Sequence, residues 1–227
     1  MRNAVILLGG RVFEGLFEEG PRKLLRVADV IKQLYERGLE LAVVTGGSEI
    51  ARKYIGAVSE LGGSKYMQDY AGILVTRLNA LLTISALGEL AYPKVVESYD
   101  EAPLAHAMGK VPVSGGIHPG YSTDTVAALM AERLRFNALI KLTGVDGVYE
   151  EDPKVNPAAK RIEELSYEDL ERLVINKSYD PGKYELLDLT SIKILRRSSI
   201  STIILSADRP EAIMDLLEGR KVGTLVR

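Results

Sequence analysis

The fold is decided by residues 4–10, which read AVILLGG, a short apolar run that ends in two glycines. Behind them, apolar residues recur three and four positions apart over residues 24–35, which is the spacing of an amphipathic helix. The same order then returns, because residues 39–47 read LELAVVTGG and a second helical pattern covers residues 49–61. A repeated strand, glycine turn and helix predict an α/β fold whose mainly parallel sheet is covered by helices on both faces.

The remaining sequence continues this alternation without a linker or an internal repeat, so we expect the 227 residues to form one domain. A long helix, apolar on most of its faces, is predicted over residues 71–90 and ends before Pro93. Residues 146–176 are rich in charges and proline turns, and we interpret them as a hairpin or a mobile flap. The other predicted strands are 94–96, 111–114, 138–142, 202–205 and an edge strand at 224–226. The other predicted helices are 124–133, 167–173, 186–197 and 210–217.

The composition excludes several classes of protein. The net charge is −2 and the two signs are interspersed, so no electrostatic footprint for a nucleic acid is present. The chain has no cysteine, which excludes disulfides and thiolate zinc sites. It has only two histidines, and we assign no metal ligands. We expect no apolar run to approach the ~20 residues that span a bilayer, and no signal peptide before the first strand. We therefore expect a cytoplasmic protein without a membrane partner.

Glycine turns follow four of the predicted strands, at Gly9-Gly10, Gly46-Gly47, Gly115-Gly116 and Gly144 to Gly147. In a parallel sheet, ligands bind beyond the carboxyl ends of the strands, where glycine lets backbone N–H groups approach a phosphate. Neither the Walker pattern nor a Gly-x-Gly-x-x-Gly after the first strand is present. Together the four turns indicate a polyphosphate cradle of another design.

Residues 115–124 read GGIHPGYSTD and directly precede an apolar helical pattern. One interpretation is structural, with Thr123 or Asp124 as the N-cap of that helix. The other is that the same helix start presents hydroxyl and amide groups to an anionic substrate. These residue types alone leave both interpretations open.

Three motifs resemble the archaeal uridylate (UMP) kinases of the amino-acid kinase family. They are residues 113–132, the sequence GVDGVY at 144–149 followed by Asp152-Pro153, and the sequence ARKYI at 51–55. The likeness continues in order through Asp69, Thr76, Arg77, Asn79 and residues 184–188. It therefore covers nearly the whole chain.

This resemblance implies a three-layer αβα sandwich with a central, mainly parallel sheet. It implies the reaction ATP + UMP → ADP + UDP in pyrimidine nucleotide biosynthesis, with Mg²⁺ as cofactor. Residues 1–135 would form the acceptor side of the single domain and residues 136–227 the ATP side. A homohexamer is the assembly that the resemblance implies.

The resemblance also implies roles for individual residues. It places Asp124 at the reaction centre and Arg52 where it reaches a phosphate, and Arg11, which departs from the family pattern, is a further candidate for the reaction centre. Those expected to hold UMP are Gly47, Asp69 as a ribose-hydroxyl ligand, Ile117, His118, Pro119, Gly120, Tyr121, Ser122 and Thr123. Those expected to hold ATP are Gly9, Gly10, Ser48, Arg52, Thr143, Tyr149 and Asp152.

The chain departs from the family pattern on the ATP side. Many amino-acid kinases have a lysine just before the first glycine pair, where this chain has leucines, and Arg11 either supplies that charge or faces solvent. Ser48 stands in place of a third glycine, and Gly144 replaces a polar residue. Lys141 and Lys193 are further candidate cations, although we expect lysines in such places to be solvated.

These departures keep two alternatives open. One is a family member that phosphorylates another small acceptor, such as isopentenyl phosphate or carbamate. The other is a catalytically weak relative that only binds a nucleotide or an oxyanion. Asp69 and the loop 119–124 favour the nucleotide as acceptor.

Overall fold

The computed structural model describes residues 1–150, 156, 158–176 and 186–227. Its strands are β1 (Asn3–Leu8), β2 (Glu40–Thr45), β3 (Val113–Ser114), β4 (Ala138–Thr143), β5 (Val148–Tyr149), β6 (Arg161–Ile162), β7 (Glu164–Leu165), β8 (Ser201–Ser206) and β9 (Thr224–Val226). Its α-helices are α1 (Arg22–Glu36), α2 (Ser48–Glu60), α3 (Lys65–Leu87), α4 (Glu101–Ala107), α5 (Thr123–Leu134), α6 (Tyr167–Asn176), α7 (Leu189–Arg197) and α8 (Ala212–Leu217). Short 3₁₀ helices cover Gly10–Phe13 and Gly88–Leu90.

The central sheet has the order β3-β2-β1-β4-β8-β9-β7, and only the β8–β9 pair is antiparallel. β1 lies between β2 and β4, and its residues 4–8 are at most 1% exposed. A strand buried on both faces accounts for the uninterrupted apolar run at the start of the sequence. The predicted mainly parallel sheet is therefore confirmed.

Helices cover both faces of the sheet and complete the predicted αβα sandwich. Alternate residues of β1 point to opposite faces, so that Ile6 and Leu8 pack in one apolar core and Val5 and Leu7 in another. The first core contains α1, α3 and α8, and the second contains buried residues of α4, α5, α6 and α7. The second core thus lies between the sheet and α5, the helix that carries Asp124.

Two predicted boundaries of the long helix are wrong. α3 begins six residues earlier than predicted, because Ser64 caps it by accepting a hydrogen bond from the backbone N–H of Met67 at 3.3 Å. It ends at Leu87, before Pro93, because Gly88 adopts a φ of +64°, a left-handed conformation that stops a helix.

Other elements also differ from the prediction. The expected strand 94–96 is reduced to a single bridge between Val96 and Ser114, and α4 was not predicted. The last strand, β9, is not an edge strand, since β7 pairs with it on the side away from β8. β5 and β6 pair in antiparallel register, which confirms the hairpin interpretation for the described part of residues 146–176.

The segment Lys65–Leu90 is long and apolar enough to cross a bilayer, by length and composition alone. The expectation that no segment approaches this length is therefore wrong. Half of its most apolar 18-residue window is buried inside the fold, as in the core helix of a globular protein. Its Ala80, Ile84 and Leu87 pack in the first core.

Glu132 ties the end of α5 to the end of α7. Its carboxylate accepts hydrogen bonds from Arg197 at 2.6 and 3.0 Å and from the hydroxyl of Ser198 at 2.5 Å. The Arg197 guanidinium, followed by the Ser198 hydroxyl, lowers the pKa of Glu132 below its usual value of 4.5. A carboxylate whose pKa is lowered by folding stabilises the fold only where it is ionised.

We expect Glu132→Gln to reduce the free energy of unfolding at pH 7 by up to about 1 kcal/mol, a value that allows for solvent screening. The difference from the parent should be complete above the unfolded pKa and should vanish as the pH falls through the lower folded pKa. Denaturant unfolding between pH 7 and pH 3 measures it, with Glu60→Gln on the exposed end of α2 as a control. An equal loss at every pH would contradict the ionic origin of the effect.

Candidate functional site

The four predicted glycine turns meet at one edge of the sheet. They follow β1, β2, β3 and β4, which are neighbours in the order β3-β2-β1-β4. The first turn is joined to its neighbours through the backbone, because the N–H of Gly9 donates to the carbonyl of Leu142 and the N–H of Gly46 to that of Leu8, both at 2.8 Å. Helix starts and backbone N–H groups are thus gathered where a phosphate would be bound.

The first turn lies so close to the end of β4 and to the start of α2 that neither of its glycines has room for a side chain. A Cβ on Gly9 would lie 2.6 Å from the carbonyl oxygen of Leu142, and a Cβ on Gly10 would lie 2.7 Å from the Cα of Ser48. Ser48 itself has a φ of +58°, a left-handed conformation that favours glycine. The position where the family resemblance places a third glycine therefore has the backbone conformation that glycine adopts most easily.

A cleft of about 460 Å³ opens beside these turns, between α2, α3 and the loop that precedes α5. Its lining includes the predicted residues Gly47, Ser48, Arg52, Asp69, Gly120, Tyr121, Ser122 and Thr123. Its lining also includes Ala51, Ile55, Thr76 and Gly116, which belong to the quoted motifs but had no assigned role in the site, and Gly72 and Ile73, which sequence reasoning missed. These additional residues are mostly small or apolar, and for Gly72 and Ile73 the helical spacing on α3 is the signal that the sequence carries.

The rest of the predicted loop lies outside the lining of this cleft. Ile117 is 6% exposed and belongs to the second core. The ring of His118 lies between those of Tyr99 and Tyr121, with centroids 6.1 and 6.4 Å away. Burial raises the pKa of Tyr99 to about 12, so its hydroxyl stays neutral beside His118. The predicted roles of Ile117, His118 and Pro119 in binding stay predictions.

Polar side chains of α3 hold the second and third glycine turns by their backbones. The hydroxyl of Thr76 accepts a hydrogen bond from the N–H of Gly116 at 2.7 Å. The side-chain amide of Asn79 donates to the carbonyl of Gly46 at 2.7 Å. Both residues are buried, so each bond satisfies groups that cannot reach water and holds the turns in place.

Asp69 and Arg77 extend this arrangement to the loop before α5. Asp69 accepts a hydrogen bond from the N–H of Gly120 at 2.8 Å, and Arg77 donates to the carbonyl of Gly116 at 3.1 Å. Arg77 also forms an ion pair with Glu97 at 2.6 Å. The carboxylate of Asp69 thus lines the cleft and at the same time fixes the loop opposite it.

The N-cap of α5 is Ser122, and the prediction of Thr123 or Asp124 is wrong. Ser122 has the extended backbone of an N-cap, with a ψ of 165°, and its hydroxyl accepts from the N–H of Thr125 at 3.1 Å. Thr123 and Asp124 are therefore the first two residues of the helix. All three side chains can serve as caps, so local sequence does not distinguish them.

Asp188 connects this helix start to α7. It caps α7 by accepting from the N–H groups of Thr190 and Ser191 at 2.8 and 2.9 Å. It also accepts from the hydroxyls of Ser122 and Thr125, in the latter case at 3.0 Å. The predicted helix 186–197 therefore begins three residues later, at Leu189, because Asp188 is its cap, and nothing local predicts the link to α5.

Asp124 forms an ion pair with Lys141, whose ammonium nitrogen lies 2.5 Å from the carboxylate. The side chains are 18% and 5% exposed, and the ammonium also donates to the carbonyl of Leu186. The expectation that Lys141 is solvated is therefore wrong. Lys193, in contrast, is exposed, as expected.

On the predicted ATP side, Arg11 lies between two carboxylates. Its guanidinium donates to Asp208 at 3.1 and 3.2 Å and to Glu14 at 2.5 Å, and the bond to Asp208 is the main cause of a raised pKa of Arg11. Asp208 follows β8, so the pair connects the turns after β1 and β8. The side chain remains 41% exposed, and its role at the reaction centre stays a prediction.

Two other ATP-side residues belong to the β4–β5 region. Thr143 ends β4, and its carbonyl accepts from the N–H of Ala207 at 2.7 Å. The hydroxyl of Tyr149 donates to Asp146 at 2.7 Å, and this bond raises the pKa of Tyr149. Asp152 and residues 184–185 lie outside the described residues.

Comparisons with known proteins identify relatives along the whole chain. A profile of the amino acid kinase family matches residues 3–206. The uridylate kinase of Pyrobaculum neutrophilum is 46% identical over 222 residues, which is 98% of each chain. The uridylate kinase of Methanobrevibacter smithii is 39% identical over 222 residues, 98% of this chain and 97% of that one. The crystal structure of uridylate kinase from Archaeoglobus fulgidus covers all of both chains with a TM-score of 0.87 at 37% identity.

The left-handed backbone of Ser48 predicts how the variants Ser48→Gly and Ser48→Ala differ in stability. In an ordinary helix glycine is less stable than alanine by about 1 kcal/mol. At Ser48 we expect the reverse, with the glycine variant more stable by about 1 kcal/mol, since only alanine bears a Cβ at positive φ. Denaturant unfolding of both variants measures the difference. The variants Glu60→Gly and Glu60→Ala, in α2, are the control, and there the alanine variant should be the more stable of the two.

Proposed function

Because the chain belongs to the amino acid kinase family, we propose that it transfers the γ-phosphoryl group of ATP to UMP and releases ADP and UDP. The observation that carries this proposal is the cleft beside the glycine turns, which presents Asp69 on one wall and Arg52 on another. A carboxylate suits ribose hydroxyls and a guanidinium suits a phosphate. The uridylate kinase relatives over the full chain support the choice of acceptor.

The acceptor half of the site needs to position UMP more than to activate it. The nucleophile is an oxygen of UMP's own phosphate, which is largely ionised near neutral pH because its second pKa is about 6. A strong general base is therefore unnecessary, and His118 is not required in that role. Arg52 lies one helical turn after Ser48, where it can approach a phosphate held at the start of α2. This half corresponds to the predicted acceptor side, residues 1–135.

We assign the ATP to the turns after β1 and β4, on the predicted donor side, residues 136–227 together with Gly9 and Gly10. In-line phosphoryl transfer proceeds when both substrates are aligned and the charge on the transferred group is neutralised. Backbone N–H groups of the glycine turns supply part of that neutralisation. Thr143 ends β4, Arg11 follows the turn after β1 and Tyr149 lies in β5, and we assign all three to the ATP side. We assign Asp124, which pairs with Lys141 of β4, to the boundary between the two halves.

The residues present fit a magnesium ion that arrives with ATP. Within the part of the chain that the structure describes, no group of three or more His, Asp or Glu side chains forms a metal-binding cluster. Mg²⁺ in kinases is usually held by substrate phosphates, water and one or two carboxylates, so such a cluster is not needed. Asp124 is the carboxylate placed to join such a set, and the ion would neutralise charge on the transferred phosphoryl group.

The proposal predicts ADP release from Mg-ATP with UMP as acceptor, measured by a coupled assay. Isopentenyl phosphate and carbamate are tested in parallel, since family members with other acceptors share the fold. Turnover on UMP is expected, and turnover on another acceptor alone would contradict the nucleotide assignment. Binding of UMP and ATP without any turnover would instead identify a relative that has lost the reaction.

The variants Asp69→Asn and Asp69→Ala test the acceptor pocket within the same assay. Asparagine can still accept from the N–H of Gly120 but lacks the charge that would strengthen a bond to ribose, so we expect the KM for UMP to rise about tenfold. Alanine also releases the loop and should raise this KM further. The KM for ATP should be unchanged in both variants.

We further propose that the exposed face of α3 is covered by a second copy of the chain, within the homohexamer that the resemblance implies. Met67, Tyr70, Leu74, Leu78 and Leu81 form this face, and each is between 40% and 61% exposed. An apolar stripe of this length on one helix is typical of an interface. The product UDP and the resemblance support a place for the enzyme in cytoplasmic pyrimidine biosynthesis.

Leu78→Glu should dissociate the assembly, because it would bury a carboxylate without a partner in the apolar contact. Light scattering after size-exclusion chromatography measures the mass, and Leu104→Glu on exposed α4 is the control. We expect a reduced mass for Leu78→Glu only. A parent protein that is already monomeric would contradict the proposed assembly.

A further inference from the structure

Lys141 is a buried charged residue at the boundary between the two halves of the site. It is 4% exposed and lies in β4, two residues before Thr143, which ends the strand at the glycine turn. In the register of the sheet it stands directly beside Leu7 of β1. Leu7 packs in the second core, and so does Leu139, which points the same way as Lys141 because side chains alternate along a strand. Lys141 and Leu7 therefore occupy neighbouring places on one face, beneath α5.

The ammonium of Lys141 has two partners on different elements. It pairs with Asp124 in the first turn of α5, at 2.5 Å, and donates to the carbonyl of Leu186, just before α7. A buried ammonium is costly unless a charge and hydrogen bonds compensate it, and both are present here. Asp124 follows directly after Thr123, which lines the acceptor cleft. The ion pair thus lies between that cleft and the turn after β4.

We propose that Lys141 is a positioning residue for phosphoryl transfer, whose positive charge holds the Asp124 carboxylate between the two substrates. This inference rests on the proposed function. No bond to the lysine forms or breaks in this role. The positive charge of Lys141 lies on β4, whereas residues 3–8 of β1 contain no cation.

A purely structural role would also explain a buried ion pair, so the test separates charge from packing. Lys141→Met removes the ammonium but leaves Asp124 without this partner, and it can fail through unfolding alone. The double variant Lys141→Met with Asp124→Asn removes both charges and should recover thermal stability. We expect its kcat to remain reduced about 100-fold or more, the size of effect seen when one preorganised charge-stabilising group is lost. Its KM for UMP should change by less than about threefold, because the residues that line the acceptor cleft are unchanged in this variant.

Because Leu7 lies beside Lys141, a lysine at position 7 can replace the lost charge and recover activity. In the variant Leu7→Lys with Lys141→Leu, the ammonium is moved to the adjacent strand, whose backbone lies about 4.8 Å away on the same face. We expect this exchange to recover at least about tenfold in kcat over Lys141→Leu alone, through the regained charge. The control Leu7→Met with Lys141→Leu should not recover activity.

Two results would overturn the inference. One is a folded Lys141→Met, Asp124→Asn protein with parental kcat, which would show that the pair is only structural. The other is an exchanged protein with parental thermal stability but the kcat of Lys141→Leu alone. The parent protein, assayed with UMP alongside, separates these results from a failure of the proposed function, since without parental turnover the UMP assignment itself is wrong.

Discussion

The backbone of the first glycine turn has to lie directly against the end of β4 and the start of α2. A Cβ on Gly9 would lie 2.6 Å from the carbonyl of Leu142, and Gly10 approaches Ser48 as closely. This contact is possible because β1 pairs in parallel register with both β2 and β4, so that three strands end at one level. The turns, the start of α2 and the cleft beside them all depend on this close approach.

The cleft is held open by polar residues on a helix that is otherwise apolar. Thr76 and Asn79 of α3 bind backbone groups of the second and third turns, and Asp69 binds the loop before α5. Because each bond involves a backbone group of a turn, the position of the loops depends little on their own side chains. The same helix presents an apolar stripe to the outside, so one element shapes the cleft and supplies the proposed contact between chains.

Two carboxylates join the proposed acceptor and donor halves. Asp188 caps α7 while it holds the hydroxyls of Ser122 and Thr125, and Asp124 pairs with Lys141. Both lie at the start of a helix, where the helix dipole also favours negative charge. The start of α5, which meets the proposed acceptor, is thereby tied to β4 and α7, the elements around the proposed donor. Movement of one half relative to the other would break these bonds.

The sequence by itself determined the parallel strands β1, β2, β4 and β8, the glycine turns and the helical cover of both faces, because these follow from local periodicity and from the conformations open to glycine. It also indicated Asp69, Arg52 and the loop before α5, through the resemblance to a known family. It missed the N-cap Ser122, since Ser, Thr and Asp cap a helix by the same chemistry. Only the tertiary structure decided that Lys141 is buried, because its partners Asp124 and Leu186 are 17 and 45 residues away and are brought together by packing.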